Sequence, residues 1–288
     1  MKYIDVNGIL RDMNDSQDRF FRYIYGHAWT RALLKPLLRP GFSRFAGFFM
    51  DRGASRVLIR SFIRKNGIDM TQFEERRFAS FNDFFTRAVL PDKRPLPDGE
   101  KALFSPCDAY LTVLPVTEDL RFTVKHTEYS LSEFLQSEET AEKFNGGTLL
   151  LYRLSVQHYH RYHFFDSGKI EKEYRIPGAL HTVQPSANDA RPIYKENTRC
   201  VSVLSTEHFG MVIQTEVGAL LVGRITNNPV KDFKRGDEKG RFEFGGSTVI
   251  VVLEKDAAEI DGAYINASKD GLETEVRFGT RIGRSLKP

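Results

Sequence analysis

Gly245-Gly246-Ser247-Thr248-Val249-Ile250-Val251-Val252-Leu253 is the stretch on which the reading of the fold turns. The β-branched run from Thr248 onward favours a pleated, fixed strand. The two glycines before it lack a Cβ and leave the backbone free to bend. Ser247 therefore stands where a flexible turn meets a strand. An ordinary hairpin turn has the same pattern, so the tripeptide alone assigns no chemistry.

Working outward, the β texture continues over the C-terminal two thirds of the chain. Thr148 to Leu154, Val201 to Ser205, Met211 to Glu216, Ala219 to Ile225 and Thr248 to Leu253 are short runs rich in Val, Ile, Leu and Thr, separated by Gly, Pro and Asn/Asp turns. They predict a mainly antiparallel core. His208-Phe209-Gly210 and Ser167-Gly168 read as hairpin turns, and Lys195 to Arg199 as a loop.

Before residue 81 the texture is helical and basic. Arg19 to Lys65 carries eleven Lys or Arg against one acid, Asp51, so this segment is +10 in a chain whose net charge is +4. Arg31, Lys35 and Arg39 recur every four residues, as do Arg52, Arg56, Arg60 and Arg64, which makes a slanting basic ridge on a helix. Phe20, Phe21, Ile24 and Tyr25, then Phe42, Phe45, Ala46 and Phe49, then Val57, Leu58 and Phe62 form apolar stripes between the charges. Pro36, Pro40 and Gly41 divide the segment into short helices. The fold class is thus α+β: short N-terminal amphipathic helices over residues 1–80, followed by an antiparallel β core over residues 81–288.

Aromatic stripes flanked by Arg and Lys suit a helix lying in the headgroup layer of an anionic membrane. The competing reading packs these helices on the β core or on a second subunit. Nucleic acid is not expected, because no recognised binding motif accompanies the basic patch. Residues 1–10 lack the apolar core of a signal peptide, and no apolar run approaches the ~20 residues that span a bilayer. Cys107 and Cys200 are too few for a disulfide framework, which favours a reducing compartment. His158, His160 and His163 have no Cys or acid at ligand spacing beside them, so no metal site is expected.

Five further segments fall in a recognisable order. They are Phe81-Asn82-Asp83-Phe84-Phe85-Thr86-Arg87 with Arg94-Pro95, Ser105-Pro106-Cys107-Asp108-Ala109, Tyr159-His160-Arg161-Tyr162-His163, Glu216-Val217-Gly218-Ala219 with Val222-Gly223, and Lys234 to Gly240 leading into Phe242 to Thr248. Together they resemble the phosphatidylserine decarboxylases, a pyruvoyl-dependent family. The resemblance implies a proenzyme that cuts its own Gly246–Ser247 bond into a β chain, 1–246, and an α chain, 247–288. Ser247 would become a covalent pyruvoyl group, which forms a Schiff base with the substrate amine and serves as electron sink. It assigns Asp108, His163 and Ser247 to a charge-relay set for self-cleavage, and His160 to substrate contact or protonation. Arg161, Lys125 and Arg153 stay open as the cation near the substrate phosphate. The implied partners are a phospholipid substrate and the anionic face of the cell membrane, bound peripherally on the cytoplasmic side; a homodimer is compatible with this.

The chain departs from the family pattern at three places. Ala109 stands where glycine usually follows the aspartate, His158 where aspartate commonly precedes the Tyr-His pair, and His126 where glycine follows Lys125. Ala109 raises the question of a turn needing positive φ. A pyruvoyl decarboxylase of a soluble amino acid would keep the same cleavage residues. A Ser-His-Asp hydrolase would use them too, but with serine on a strand-to-helix elbow. For His160 and His163 to serve one site, the strand must bend or end between them.

Overall fold

A computed structural model describes residues 2–12, 23, 30, 47–124, 126–183, 192–219, 224–243 and 247–287. In chain order its strands are β1 (Lys2–Ile4), β2 (Leu10–Asp12), β3 (Ala102–Phe104), β4 (Ala109–Pro115), β5 (Arg121–Val124), β6 (Thr127–Ser130), β7 (Thr148–Leu154), β8 (Arg161–His163) and β9 (Gly168–Ile176). The remainder are β10 (Arg199–Thr206), β11 (Gly210–Val217), β12 (Ile225–Asn227), β13 (Asp232–Phe233), β14 (Glu238–Phe242), β15 (Ser247–Leu253), β16 (Ala258–Ile260), β17 (Glu273–Val276) and β18 (Arg281–Ser285).

One large sheet runs β13-β9-β10-β11-β15-β7-β4-β17-β1-β2, with β15 bonded between β11 and β7. Its pairings are antiparallel except that of β1 with β17. All of β15 is buried. Val249, Val251 and Leu253 face one core cluster with Leu150, Tyr152 and Leu154, while Ile250 and Val252 face a second with Leu149, Leu151 and Ile213. The period of two sends alternate side chains to opposite faces, and because both faces are covered the sequence shows an unbroken apolar run. Small sheets β12-β14-β8 and β16-β18-β3 and the pair β5-β6 complete the β structure. The α+β reading therefore stands.

Near the N-terminal end lie α1 (Val57–Asn66) and α2 (Phe81–Phe85). Gly67, at φ 61°, ends α1 in the left-handed conformation that glycine adopts without strain. The Ser80 hydroxyl accepts the Asp83 N–H and starts α2. Ile59, Phe62 and Ile63 of α1 pack on Phe81, Phe84 and Phe85 of α2, with Phe62 and Phe81 ring centroids 5.0 Å apart. Farther along are α3 (Leu131–Leu135), α4 (Glu138–Glu142), α5 (Ile193–Glu196) and α6 (Gly262–Lys269).

Several expectations need correction. Residues 1–80 are not helical throughout, because β1 and β2 extend the large sheet at its far edge. Phe62 leaves the proposed lipid-facing stripe and packs on α2, since it shares a helix face with Ile59 and Ile63. Ser167-Gly168 does not close a hairpin: β8 pairs with β14 while β9 pairs with β10 and β13, so the chain changes sheets there. Lys195 to Arg199 is no simple loop. It ends α5 and starts β10, and the Arg199 guanidinium donates to the carbonyls of Phe134, Lys195 and Asn197. His208-Phe209-Gly210 does turn β10 into β11. Most of Ala219 to Ile225, the stripes and charges at 20–22, 24, 25, 31, 35, 39, 42, 45 and 46, and Lys125 lie outside the described residues.

Candidate active site

Two pairings relate Ser247 to the histidine segment, although no hydrogen bond joins Ser247 to His163 among the described residues. Ser247 stands opposite Leu154 at the end of the β15–β7 ladder, and the Phe242 N–H donates to the His160 carbonyl at 2.9 Å. Segments 160–163 and 238–242 therefore run side by side, with Ser247 opposite Leu154. β14 pairs with β8 along the same line, with Glu238 opposite His163. Gly245 and Gly246 lie outside the described residues.

The strand question raised by the three histidines has a direct answer. Residues 155–158 form a turn, in which the His158 N–H donates to the Ser155 carbonyl and the His158 ring Nδ1 accepts the Ser155 N–H at 3.0 Å. β8 begins only at Arg161, so no regular strand joins His160 to His163. The His160 ring lies against Phe85 of α2, 4.0 Å between centroids, and its Nδ1 donates to the His158 carbonyl at 2.8 Å. The His163 ring points elsewhere and stacks on Phe278 at 3.8 Å.

His163 is held as a neutral imidazole. Its Nδ1 is 3.1 Å from the Gly236 carbonyl, an acceptor, so the proton sits on Nδ1 and the lone pair on Nε2. Nε2 faces the Tyr159 hydroxyl at 3.4 Å. Burial, partly opposed by the Gly236 hydrogen bond, pushes its pKa down to about 4. Gly236 has φ 89°, a conformation that asks for glycine, and an added Cβ would meet the Leu96 side chain at 2.7 Å.

Asp108 does not hydrogen-bond His163. Its two oxygens accept Arg94 Nε at 3.2 Å and Nη2 at 2.9 Å, and Oδ1 also accepts the Phe278 N–H at 2.8 Å. Asp108 thus fixes the backbone of the residue whose ring stacks on His163. The Pro106 carbonyl, two residues from Asp108, receives the His163 N–H at 2.9 Å. Ala109 begins β4 and is absent from the positive-φ residues, so its side chain strains no turn there. His158 is buried with its ring 4.9 Å from that of Tyr110, and His126 is exposed.

Ser247 is fully buried, and its hydroxyl has no hydrogen-bond partner among the described residues. A buried polar atom left unsatisfied is uncommon and costs stability. Ser247 opens a strand, where a hydrolase elbow would lead into a helix. The Oγ fits a precursor of a covalent carbonyl group: it is shielded from water and committed to no structural hydrogen bond. Asn82 of α2 donates to Glu243 at 3.1 Å, which ties α2 to the segment leading to Ser247.

Sequence reasoning missed four neighbours: Arg94, Tyr159, Gly236 and Phe278. The first three lay inside the segments singled out above, without assigned roles. Phe278 carried no local signal, because only folding brings the residues after β17 onto His163.

Comparisons with known proteins show the family. The sequence pattern of the phosphatidylserine decarboxylase family matches residues 81–284. Phosphatidylserine decarboxylase proenzyme 2 of Clostridium acetobutylicum is 40% identical over 265 residues, covering 92% of this chain and 91% of its own length. The phosphatidylserine decarboxylase proenzyme of Clostridium perfringens is 39% identical, covering 92% of each chain, and that of Desulfitobacterium hafniense is 37% identical with the same coverage. With the family pattern spanning every segment of the site and the relatives spanning nearly the whole chain, this protein belongs to the phosphatidylserine decarboxylase family of carboxy-lyases.

Proposed function

We propose that this protein cleaves its own Gly246–Ser247 bond, converts Ser247 into a pyruvoyl group, and decarboxylates phosphatidylserine to phosphatidylethanolamine at an anionic membrane surface. The observation that carries the reading is the buried Ser247 hydroxyl, without a partner among the described residues, at the head of β15. In self-cleavage the Ser247 Oγ attacks the Gly246 carbonyl carbon and His163 Nε2 accepts the hydroxyl proton, so the peptide bond becomes an ester and the Ser247 nitrogen an amine. Loss of the Ser247 α-proton expels the Gly246 carboxylate, and hydrolysis of the resulting dehydroalanine releases ammonia. His163 can act as the base because burial keeps it neutral at pH 7. Asp108 holds Arg94 and Phe278, and through Phe278 it sets the plane of the imidazole.

The pyruvoyl group supplies a carbonyl that takes up the electron pair released as the substrate carboxylate departs as carbon dioxide. In this reading His160, whose Nδ1 donates to the His158 carbonyl, handles the proton returned to the substrate α-carbon. α1 supports the membrane part of the reading. It leaves Val57 81% and Leu58 44% exposed beside Arg60 and Arg64, and no described helix is long and apolar enough to cross a bilayer.

The test offers phosphatidylserine in mixed micelles, and separately free serine and other amino acids, with no pyridoxal phosphate or metal added. Carbon dioxide should be released from the phospholipid alone, by a protein whose denatured mass shows two chains. Turnover confined to free amino acids would overturn the substrate assignment. Full turnover by an uncut chain would overturn the pyruvoyl mechanism.

A further inference from the structure

Four arginines are buried among the described residues: Arg87, Arg94, Arg153 and Arg199. Three are matched to strong acceptors. Arg94 grips the Asp108 carboxylate, Arg153 the Glu273 carboxylate, and Arg199 donates to three carbonyls at 2.7 to 2.9 Å. Arg87 is different. At 1% exposure it has no carboxylate partner, its Nη1 and Nη2 reach the Phe84 and Gln157 carbonyls at only 3.4 and 3.3 Å, and its Nε has no acceptor. The rings of Phe73 and Phe84, at 4.1 and 4.9 Å, compensate it in part. Burial pulls its pKa down to about 10, which still leaves it charged at neutral pH.

A buried cation with no ion pair costs stability, here offset only through space by the charge of the Asp108 carboxylate, and such a cost is retained where function needs it. Arg87 lies at the candidate site. Gln157 belongs to the turn leading into His160, and Phe85, two residues before Arg87, lies against the His160 ring. The other described candidates for anion binding are already committed, Arg161 to Glu238 and the Thr86 carbonyl, and Arg153 to Glu273.

We propose that the Arg87 guanidinium binds an oxyanion of the substrate, exchanging its two long carbonyl contacts for charge-assisted hydrogen bonds; this rests on the decarboxylation reading above. Hydrogen bonds of 3.3 to 3.4 Å lie at the weak end of the range, whereas a guanidinium and an oxyanion meet at about 2.7–2.9 Å and can do so through two parallel bonds. Phosphatidylserine carries two such groups, the phosphodiester and the α-carboxylate.

The full chain with Arg87→Met and with Arg87→Lys is compared with the parent for self-cleavage, melting temperature, and KM and kcat on phosphatidylserine. The methionine variant should process, melt at or above the parent temperature, and lose about tenfold or more in kcat/KM; lysine should restore part of the loss. Glycerophosphoethanolamine, which has the phosphodiester but no carboxylate, separates the sources. If the phosphodiester binds, it inhibits the parent and not the methionine variant; if the carboxylate binds, inhibition is equal in both and the loss falls mainly on kcat. A processed methionine variant with parental kcat/KM overturns the proposal. So does a lowered melting temperature with catalysis unchanged, or failure of both variants to process, since either makes Arg87 a structural residue. An inactive parent would instead refute the decarboxylation reading.

Discussion

Val57 in α1 and Val251 in β15 are the same side chain in opposite circumstances: one is 81% exposed, the other fully buried. β15 has hydrogen-bonded neighbours on both edges and packed cores on both faces. Among the described residues α1 has a helical partner on one side, where Ile59, Phe62 and Ile63 meet α2. Its other side keeps Val57 and Leu58 in water beside Arg60 and Arg64, for which no ion pair is formed among the described residues. Burial thus follows from what lies alongside and not from apolar character. An aliphatic edge beside unpaired arginines suits a lipid headgroup layer, where both groups gain.

The largest effect expected lies at the head of β15. Ser247→Ala should abolish processing, leaving a single 33.0 kDa chain, whereas the parent separates under denaturing conditions into residues 1–246 and a piece of about a seventh of the mass. Mass spectrometry decides this, and cleavage of the alanine variant would remove Ser247 from the mechanism.

Next in size is the basic edge formed by Arg56 and the exposed side of α1. Arg56→Glu, Arg60→Glu and Arg64→Glu together should weaken binding to vesicles containing anionic lipid by at least about a hundredfold, from about 1 kcal/mol for each arginine lost. Self-cleavage should be unaffected. Sedimentation with vesicles measures it, and unchanged binding would mean that this side of α1 meets protein instead of lipid.

The two valines give a smaller, direct contrast. Val251→Ala should cost about 2–3 kcal/mol of stability, from lost burial plus a cavity, while Val57→Ala should stay within about 0.5 kcal/mol. Denaturant unfolding of the processed protein compares them, and equal costs would show that α1 is covered in solution.

The smallest effect is a flat one. With its folded pKa near 4 and an ordinary value near 6.5, His163 stays neutral while an unfolded histidine takes up its proton. Its contribution to stability is therefore present above about pH 6.5 and falls as pH drops toward 4. Self-cleavage should keep its rate from about pH 8 to 5, and vesicle binding through arginines should keep its strength over the same range. A processing rate that halves near pH 6.5 would mean that the base is an ordinary exposed histidine.

Local pattern by itself determined much of this protein. The run from Thr248 to Leu253 specified a strand and His208-Phe209-Gly210 a hairpin, because each signal is carried by neighbours in sequence. The ordered segments from Phe81 to Thr248 identified the family and proposed the site residues. Only the tertiary structure decided how these residues meet. That Asp108 binds Arg94 and the Phe278 N–H, that Gly236 sets the His163 tautomer, and that Phe62 turns inward all depend on contacts between residues far apart in sequence. The edge strands β1 and β2 were illegible for the same reason. Three residues carry too little periodicity to announce a strand, and it is pairing with β17, some 270 residues away, that makes β1 one.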